Sequence, residues 1–382
     1  MLSSLQGLME PSNVEARAPV HAIFCVRTEV SDVRLIFVHW VVEDRGSAQD
    51  MYHYAMVAKK LGHEIALYGR PLSASAFNYS LDIESADAAI FLNEWTTELQ
   101  FGDRLDFVRL LSRMPRQRRV IVDLDGKYND VTKVVGDYNH PDSAASRRWI
   151  EVCDSITDKI YQATLRPLRP NVRSFLFHAY SPTWELSLDF TGKEYGMYCV
   201  GNNWFRWRPM SRVLKAIEPV RQQVGRIGLA GAGWDTLAPW ANPSLTVDAY
   251  YSDQQYLAKL GVEVMPAVHF RQVIEGMSKG VFTPVIYRPL FDHLQMVTCR
   301  TFETPAANAI PLFTQSPEYV EAIFGEDALE LILPNERPHE KILDILSEPE
   351  RYAPTVMAIR RRLAESHSYE VRLRELINIV QS

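Results

Sequence analysis

The sequence predicts an α/β protein that contains two successive parallel-sheet domains. The chain has 382 residues, and at about 150 residues per domain this length indicates two or three domains. Short apolar segments alternate with helical segments along most of the chain, which is typical of parallel strands covered by helices. Apolar residues make up 47% and charged residues 23% of the chain, and these globular proportions exclude collagen, coiled coil and whole-chain disorder.

The first predicted domain covers residues 20–185 and follows a leader, residues 1–19, that we expect to be flexible. Apolar runs predict strands at 20–26, 35–42, 64–68, 86–92 and 119–122. Between the second and third of these strands, apolar residues at helical spacing predict a helix that Ser47 can cap and that Gly62 ends. Several strands are followed by polar residues at their carboxyl ends, as expected at the functional edge of a parallel sheet.

The second predicted domain covers residues 190–354 and is reached through a linker at 181–194. Its predicted strands lie at 197–200, 226–230, 261–266, 283–287 and 310–313, and its predicted helices lie at 210–224, at 271–276 and from Thr301 onward. Amphipathic segments at 355–363 and 371–380 predict two final helices. We assign residues 355–382 to the first domain, with the last helix crossing back onto it.

Charge and apolar patterning limit the possible partners. The formal net charge of −6 argues against a non-specific nucleic-acid binder, although a local basic groove remains compatible with it. No transmembrane segment is predicted, because the longest apolar run, at 35–42, is far shorter than the ~20 residues that a span needs. The first residues lack the apolar core of a secretory signal, so we expect a cytoplasmic protein.

The cysteine pattern predicts neither a zinc site nor a disulfide framework. The four cysteines, Cys25, Cys153, Cys199 and Cys299, are scattered and form no Cys-x-x-Cys pair. We expect buried thiols, which behave as small apolar side chains.

Two glycine-containing turns are candidate ligand-binding loops. Gly46 opens the first predicted helix, where free N–H groups favour an anion such as phosphate, but the segment by itself is better explained as an ordinary turn with a Ser47 cap. Gly233 and Trp234 lie in a Gly-Ala-Gly-Trp segment after a predicted strand. Thr236 stands where a dinucleotide fingerprint would have its third glycine, so a nicotinamide cofactor has little support. The indole can stack on a ligand or simply pack.

Arginines supply the strongest candidates for a phosphate site. Arg206 and Arg208 follow the first strand of the second domain, and guanidinium groups match phosphate oxygens in a bidentate manner. Surface arginines stacked on Trp204 and Trp207 are an equal alternative. Further along, Arg288 follows another strand of the same domain.

The segment from Arg300 to Glu303 opens a predicted helix of the second domain. The free N–H groups at Arg300 and Thr301 can hold phosphate. A carboxylate at Glu303 is stabilised by the helix dipole in any case, and it can also accept two hydrogen bonds from a ribose diol.

The order of these segments resembles that of GT-B glycosyltransferases, in particular the group 1 (family 4) type and its CgeB-like spore-protein relatives. In those enzymes a Glu-x-x-Ala-x-Gly-x-Pro helix binds the nucleotide sugar through its glutamate. Glu303, Ala306 and Pro311 match part of that pattern. Asn308 replaces the glycine, with one extra residue before the proline, and Gln295 stands where a partner glutamate is expected. The stretch 367–372 also resembles a His-Thr-Tyr-x-x-Arg stretch near the end of CgeB-like chains.

The resemblance implies two Rossmann-like domains that face a central cleft, with a nucleotide diphosphate sugar held by the second domain. It places the base near 262–268, which includes Val264, and the ribose on Glu303. The diphosphate falls on Arg206 or Arg208 and on the helix start at Arg300. The implied reaction moves the sugar to an acceptor hydroxyl in the first domain, with retention of configuration.

We expect no cofactor and no metal, because arginines and N–H groups can stabilise the leaving diphosphate. UDP or dTDP is expected rather than GDP, and the acceptor is expected to be a small molecule, glycan or peptide, with no nucleic acid.

A general base should project from the first domain, and the candidates are Glu94, Asp123 or Asp125, and His178. Asp123 and Asp125 form an Asp-x-Asp pair that is better explained as a strand-end turn than as a metal site. Three other functions remain open: a sugar-nucleotide epimerase, a non-catalytic binding protein of the same fold, and a DNA-modifying sugar transferase, which the net charge disfavours.

Overall fold

The protein is described here from a computed structural model. It covers residues 32–39, 46–68, 77–94, 110, 112–139, 144–239, 241–243 and 248–382. The predicted leader, the predicted strand at 20–26 and Cys25 lie outside the described residues. Val33–Ser382 forms one compact unit. None of the described helices combines the length and the apolar character of a membrane span.

The described residues contain strands and helices that alternate along the chain. The strands are β1 (Arg34–Val38), β2 (Glu64–Tyr68), β3 (Tyr79–Ser80), β4 (Ala88–Asn93), β5 (Arg119–Asp123), β6 (Lys133–Val134), β7 (Asp137–Tyr138), β8 (Ile160–Gln162), β9 (Val172–Ser174), β10 (Tyr195–Val200), β11 (Ile227–Ala230), β12 (Val262–Met265), β13 (Gly280–Val285) and β14 (Ile310–Phe313). The helices are α1 (Gly46–Leu61), α2 (Ala144–Ile156), α3 (Trp207–Ile217), α4 (Arg221–Val224), α5 (Gln254–Lys259), α6 (Val273–Met277), α7 (Pro289–His293), α8 (Cys299–Ala306), α9 (Pro317–Phe324), α10 (Pro338–Ser347), α11 (Ala353–His367) and α12 (Tyr369–Gln381).

The first lobe is built on a seven-stranded sheet in the order β3-β2-β1-β4-β5-β8-β9. All its neighbouring strands run parallel. Leu35 and Phe37 belong to one hydrophobic cluster, whereas Ile36 and Val38 belong to another. Successive side chains point to opposite faces of a strand, so both faces of this sheet are covered, as parallel sheets require.

The second lobe is built on a five-stranded parallel sheet in the order β12-β11-β10-β13-β14. Its central strand β10 is buried along its whole length. The two parallel sheets confirm the predicted fold class, and together they give the GT-B arrangement.

The described residues make contacts between the lobes at several places, one of which is the hydrogen bond from the backbone N–H of Val297 to the carbonyl of Ala163 over 2.7 Å. The β6–β7 hairpin of the first lobe reaches α7 of the second lobe, where the Arg288 guanidinium donates to both carboxylate oxygens of Asp137. At the end of the chain, the backbone N–H of Tyr180 donates to the carbonyl of His367 over 2.8 Å. The final helix α12 packs against α1 of the first lobe.

The predicted elements that fall on described residues occur in the predicted order, with differences at their boundaries. The structure also contains elements that were not predicted, among them β3, the β6–β7 hairpin, β8 and β9. The predicted helix at 210–224 is wrong as a single element, because α3 ends at Ile217 and a 3-10 turn at Glu218–Val220 separates it from α4. Pro219 explains the break, since proline lacks an N–H and clashes with the preceding helical turn. The strand predicted at 283–287 instead spans Gly280–Val285.

Candidate active site

The candidate site lies between the lobes, where strands end and helices begin. In the first lobe, His39 follows β1, Glu94 follows β4, and Ser47 lies in the first turn of α1. In the second lobe, Arg206 precedes α3, and α8 carries both Arg300 and Glu303. The carboxyl ends of parallel strands and the amino termini of the following helices are the usual ligand-binding edge of such folds.

Glu94 and His39 form a largely buried contact in the first lobe. Oε2 of Glu94 lies 3.3 Å from Nε2 of His39, and the Ser47 hydroxyl donates to the same carboxylate. Burial alone would raise the pKa of Glu94, but the hydrogen bond and charge of His39, with help from Ser47, reverse this and lower it. Glu94 is therefore a carboxylate at neutral pH.

His178 and Asp50 form a second buried pair. Nδ1 of His178 lies 2.7 Å from Oδ2 of Asp50, and the Tyr369 hydroxyl donates to the other carboxylate oxygen over 2.6 Å. Burial alone would lower the pKa of His178, but the charge and hydrogen bond of Asp50, together with the charge of Glu94, raise it above the ordinary value. The charged imidazolium is thus favoured.

Arg206 and Arg300 converge on a small cavity of the second lobe, which Gly201 and Trp234 also line. A Cβ atom at Gly201 would lie 3.5 Å from one guanidinium nitrogen of Arg206 and 3.7 Å from one of Arg300. The Arg206 guanidinium donates a hydrogen bond to the backbone carbonyl of Asn202 over 2.6 Å. Burial, and then the charge of Arg300, lower the pKa of Arg206, so an anion bound here would relieve a repulsion between two cations.

Glu303 presents a buried carboxylate beside this pair of arginines. The residue is only 4% exposed, and its Oε2 has no hydrogen-bond partner. Nη1 of Arg300 lies 3.4 Å from that oxygen, which is an ion pair without a hydrogen bond. Burial raises the pKa of Glu303, although the charge of Arg300 opposes the change. A buried acceptor with unused capacity is an expected feature of a ligand site.

The two lobes share one electrostatic environment at the site. Asp50, His178 and Arg206 all act on the carboxyl group of Glu303, and Glu303 in turn acts on His178. Charges from α1, from the segment after β9 and from the second lobe are therefore close enough to influence each other. The structure brings the predicted residues Glu94, His178, Arg206, Arg300 and Glu303 to this one region.

Local packing fixes the start and the end of α8, which carries Arg300 and Glu303. The backbone N–H of Thr298 donates to the Thr301 hydroxyl over 3.1 Å. Thr301, a predicted donor-binding residue, therefore uses its side chain to hold the start of the helix. At the other end, the guanidinium of Arg360 donates to the carbonyls of Pro305, Ala306 and Ala307. Side chains thus contact the backbone at both ends of this short helix.

Other predicted site residues have different surroundings. Arg208 is exposed and donates to the backbone carbonyl of Val135 over 3.1 Å. Arg288 is buried with Asp137, as described above, so its charge is already paired. Val264 is half-buried on the edge strand β12, and Gly46 is the first residue of α1.

The Gly-Ala-Gly-Trp segment forms a tight structural turn. A Cβ atom at Gly231 would lie 2.2 Å from the carbonyl oxygen of Gly201, and one at Gly233 would lie 2.0 Å from the ring of Tyr250. Trp234 is 1% exposed and donates from Nε1 to the same Gly201 carbonyl over 2.8 Å. The turn therefore shapes the wall of the arginine cavity, and the indole packs there.

The Asp-x-Asp pair serves the end of β5. Asp123 is buried and accepts hydrogen bonds from the backbone N–H groups of Asp125, Lys127 and Tyr128 and from the Gln162 side chain. Burial nevertheless raises its pKa. This geometry matches the strand-end turn. Among the described residues, no cluster of three or more His, Cys, Asp or Glu side chains is arranged to hold a metal ion.

Three residues of the site were not predicted from the sequence. His39 lay inside a predicted strand, which in fact ends at Val38. Asp50 lies in the predicted helix that Ser47 can cap, and nothing in the sequence indicated a further role for it. Tyr369 belonged to the 367–372 stretch, whose resemblance was noted without a role.

Comparison with known proteins gives this geometry a context. Residues 208–378, which include most of the second lobe and most of the last two helices, match the family model described as glycosyl transferase-like. No curated protein sequence matches the chain.

Several solved structures share the fold across nearly the whole chain. T4 phage BGT in complex with its UDP-glucose substrate has a TM-score of 0.56 and 13% identity, and the match covers 91% of this chain and 99% of that chain. T4 phage BGT with UDP and Mn²⁺ has a TM-score of 0.55 and 12% identity over 92% of this chain and 100% of that chain. An α-glucosyltransferase in complex with UDP and a 13-mer DNA has a TM-score of 0.63 and 13% identity, and the match covers 92% of this chain and 100% of that chain.

These findings separate what is established from what remains a prediction. At this identity the structural matches show the fold alone, and they confirm the predicted GT-B architecture. The family match over residues 208–378 agrees with the predicted glycosyltransferase function. The domain bounds, the CgeB-like branch and the site assignments stay predictions. The chain thus has a GT-B fold, and residues 208–378 are similar to the glycosyl transferase-like family.

Proposed function

We propose that this protein transfers a glycosyl group from a UDP-sugar to a hydroxyl group of an acceptor. The observation that carries the proposal is the convergence of Arg206 and Arg300 beside Gly201, with the unpartnered carboxylate of Glu303 on the same helix as Arg300. A nucleoside diphosphate sugar has a matching diphosphate and ribose diol. UDP is favoured over dTDP because the structural relatives above were solved with UDP or UDP-glucose.

The two arginines would hold the diphosphate. Negative charge grows on the leaving diphosphate as the glycosidic bond breaks, and donors already aimed at it stabilise that charge without reorganisation. Arg300 is close enough to Arg206 for its charge to lower the pKa of Arg206, and a dianionic group between the two arginines would remove that repulsion. Each planar guanidinium can also donate two parallel hydrogen bonds to phosphate oxygens.

Glu303 would hold the ribose. Its Oε2 is buried without a hydrogen-bond partner, and a diol supplies two hydroxyl donors for one carboxylate. Because burial raises the pKa of Glu303, the free protein carries an unfavourable buried charge that the ribose hydroxyls would stabilise.

The first lobe would supply the groups that face the sugar and the acceptor. Among the described residues, Nε2 of His178 has no hydrogen-bond partner, and the hydrogen bond to Asp50 is made by Nδ1. A protonated His178 can therefore donate from Nε2 to an oxygen of the sugar or of the leaving group. Glu94 is kept ionised by His39, and it is the carboxylate placed to accept the proton of an acceptor hydroxyl. Asp125 lies beside Asp123 and has no part in this proposal.

Retention of configuration and independence from metal ions also belong to the proposal. Retention rests on the resemblance to group 1 enzymes. Metal independence rests on the two guanidinium groups, which supply the positive charge that a divalent ion would supply. Because one relative was solved with Mn²⁺, activity should be measured both with EDTA and with added Mn²⁺; loss of turnover in EDTA would contradict this part.

The proposal is tested by nucleoside diphosphate release from UDP-, dTDP- and GDP-sugars, measured with a panel of acceptors. The panel should hold sugars, glycans, hydroxyl-bearing peptides and DNA with a HMU base, because one relative was solved with such DNA. We expect release from a UDP-sugar with a non-nucleic-acid acceptor, since the net charge is −6. Binding without turnover would indicate a binding protein, and a changed sugar on intact donor would indicate an epimerase.

A further inference from the structure

We propose that Asp50 and Tyr369 are positioning residues: Asp50 holds His178 charged and oriented, and Tyr369 orients Asp50, so that helix α12 controls the proposed catalytic histidine. This inference deepens the proposed function and rests on it for its activity readout. The juxtaposition that carries it is a chain of two hydrogen bonds from the start of α12, through α1, to the imidazole. The resemblance motif at 367–372 is thereby given a physical role.

The chain is continuous and almost fully enclosed. Tyr369 is 3%, Asp50 2% and His178 5% exposed. The Tyr369 hydroxyl donates to Oδ1 of Asp50 over 2.6 Å, and Oδ2 lies 2.7 Å from Nδ1 of His178. Each carboxylate oxygen thus has one partner, and the carboxylate plane is fixed from both sides.

The direction of each hydrogen bond is set by charge. Burial and the charge of Asp50 raise the pKa of Tyr369 well above its usual value, so the hydroxyl keeps its proton and acts as the donor. Asp50 accepts from both neighbours, which requires the proton to sit on Nδ1 of His178. Nε2, on the opposite side of the ring, is then left for the reacting partner.

The surroundings hold the two ends of the chain in place. The ring of Tyr369 stacks on His53 with 4.8 Å between ring centroids, and it meets Trp184 edge-on. The Tyr54 hydroxyl donates to the carbonyl of Phe177 over 2.7 Å, which fixes the backbone immediately before His178. Helix α1 therefore binds both the backbone and the imidazole of this segment.

Charged groups from each element around His178 act on the imidazole. Asp50 on α1, Glu94 after β4 and Glu303 on α8 all favour its protonation. Of these carboxylates, Asp50 is the one that makes a hydrogen bond to it. Removing the charge of Asp50 should therefore have the largest effect on the proton of His178, and Glu94 and Glu303 would keep part of the shift.

The first test measures the pKa of His178 directly by NMR, with His178→Gln to assign its signals. Asp50→Asn keeps the shape but removes the charge, so the pKa of His178 should fall by about one unit or more. Tyr369→Phe removes a donor that partly neutralises Asp50, so the pKa should rise, by a smaller amount. An unchanged pKa in Asp50→Asn, or no rise in Tyr369→Phe, would overturn the corresponding step.

The second test is a cycle of single and double variants assayed for UDP-sugar turnover. Asp50→Asn should lower kcat at least about tenfold, with little change in the KM for the donor. If Tyr369 acts through Asp50, then Tyr369→Phe should lower kcat alone but have no further effect in Asp50→Asn. Fully multiplicative losses would contradict the chain.

A matched control separates positioning from stability. Tyr352 is a fully buried tyrosine whose hydroxyl also donates to a carboxylate, that of Asp344 in the second lobe. Tyr352→Phe should cost similar stability but leave kcat, and the pKa of His178, unchanged. If the wild-type protein turns over no nucleotide sugar, the proposed function fails, whereas the NMR measurement still decides whether Asp50 and Tyr369 hold the histidine.

Discussion

Replacing Glu303 by glutamine should separate ligand binding from folding. The carboxylate is buried beside Arg300, and burial raises its pKa. A group with a raised carboxyl pKa binds its proton more readily in the folded state, so the ionised form costs stability above the unfolded pKa of about 4.3. The neutral amide of Glu303→Gln avoids that cost. We therefore expect the variant to be at least as stable as the wild type at pH 7.

The loss of donor affinity can be estimated from the hydrogen bonds. A carboxylate accepts from both ribose hydroxyls, whereas an amide keeps one acceptor oxygen, so one hydrogen bond to a charged group is lost. Such a bond contributes about 1.5–3 kcal/mol, which corresponds to roughly a 10- to 150-fold weaker Kd for UDP. Glu303→Ala should lose more, because both bonds disappear.

Calorimetric titration with UDP and thermal unfolding, each done on the same samples, provide the assay. Asp123→Asn is the contrasting variant, because that buried carboxylate accepts four hydrogen bonds within the fold. We expect it to lower the Tm, whereas Glu303→Gln should not. A Glu303→Gln protein that binds UDP as tightly as the wild type, or that loses Tm together with affinity, would refute the assigned role.

Three further predictions concern charge. Arg206→Met should abolish most UDP-sugar turnover, whereas the exposed Arg208→Met should retain it; equal losses in the nucleotide-release assay would contradict the cavity as the diphosphate site. Asp137→Asn leaves the buried Arg288 unpaired and should lower the free energy of unfolding by denaturant by about 3–5 kcal/mol. Glu263→Gln, which breaks the exposed pair with Arg226, should lower it by less than about 1 kcal/mol. Similar losses in the two variants would argue against the interlobe contact. Because the pKa of His178 is raised in the folded protein, the stability that its protonation contributes is complete below pH ~6.5 and is lost as the pH rises through the folded pKa. The difference in the free energy of unfolding between the wild type and His178→Gln should therefore shrink as the pH rises. A pH-independent difference would contradict the pair with Asp50.

The sequence predicts the lobes well because parallel strands have strong local signals. The strands at Glu64–Tyr68 and Ile310–Phe313 have the predicted bounds, since each is a short apolar run between polar or turn residues. The three-residue strands β8 and β9 were missed, because such short segments carry no periodicity. They belong to the sheet through pairing with distant strands, which no local pattern records.

Residues of the donor side were easier to find than those of the first lobe. Arg206, Arg300 and Glu303 stand at loop and helix starts, where a charged residue indicates an anion site. Asp50 and Tyr369 are separated by 319 positions in the sequence, and they meet because α12 packs on α1. Because this contact forms only when α12 packs on α1, the residue spacing within either segment cannot predict it.

Arg288 shows why charge alone cannot assign a binding role. Its position after β13 was compatible with a phosphate site, but the β6–β7 hairpin brings Asp137 to its guanidinium. That hairpin has two-residue strands and was not predicted.

The most direct test of the central claim is an experimental structure of the protein with bound UDP. The account predicts that the diphosphate lies against the guanidinium groups of Arg206 and Arg300 and that the ribose hydroxyls lie within hydrogen-bond distance of Glu303. The β-phosphate should also point toward His178. UDP bound elsewhere, or bound between the lobes with Glu303 turned away from the ribose, would contradict the account.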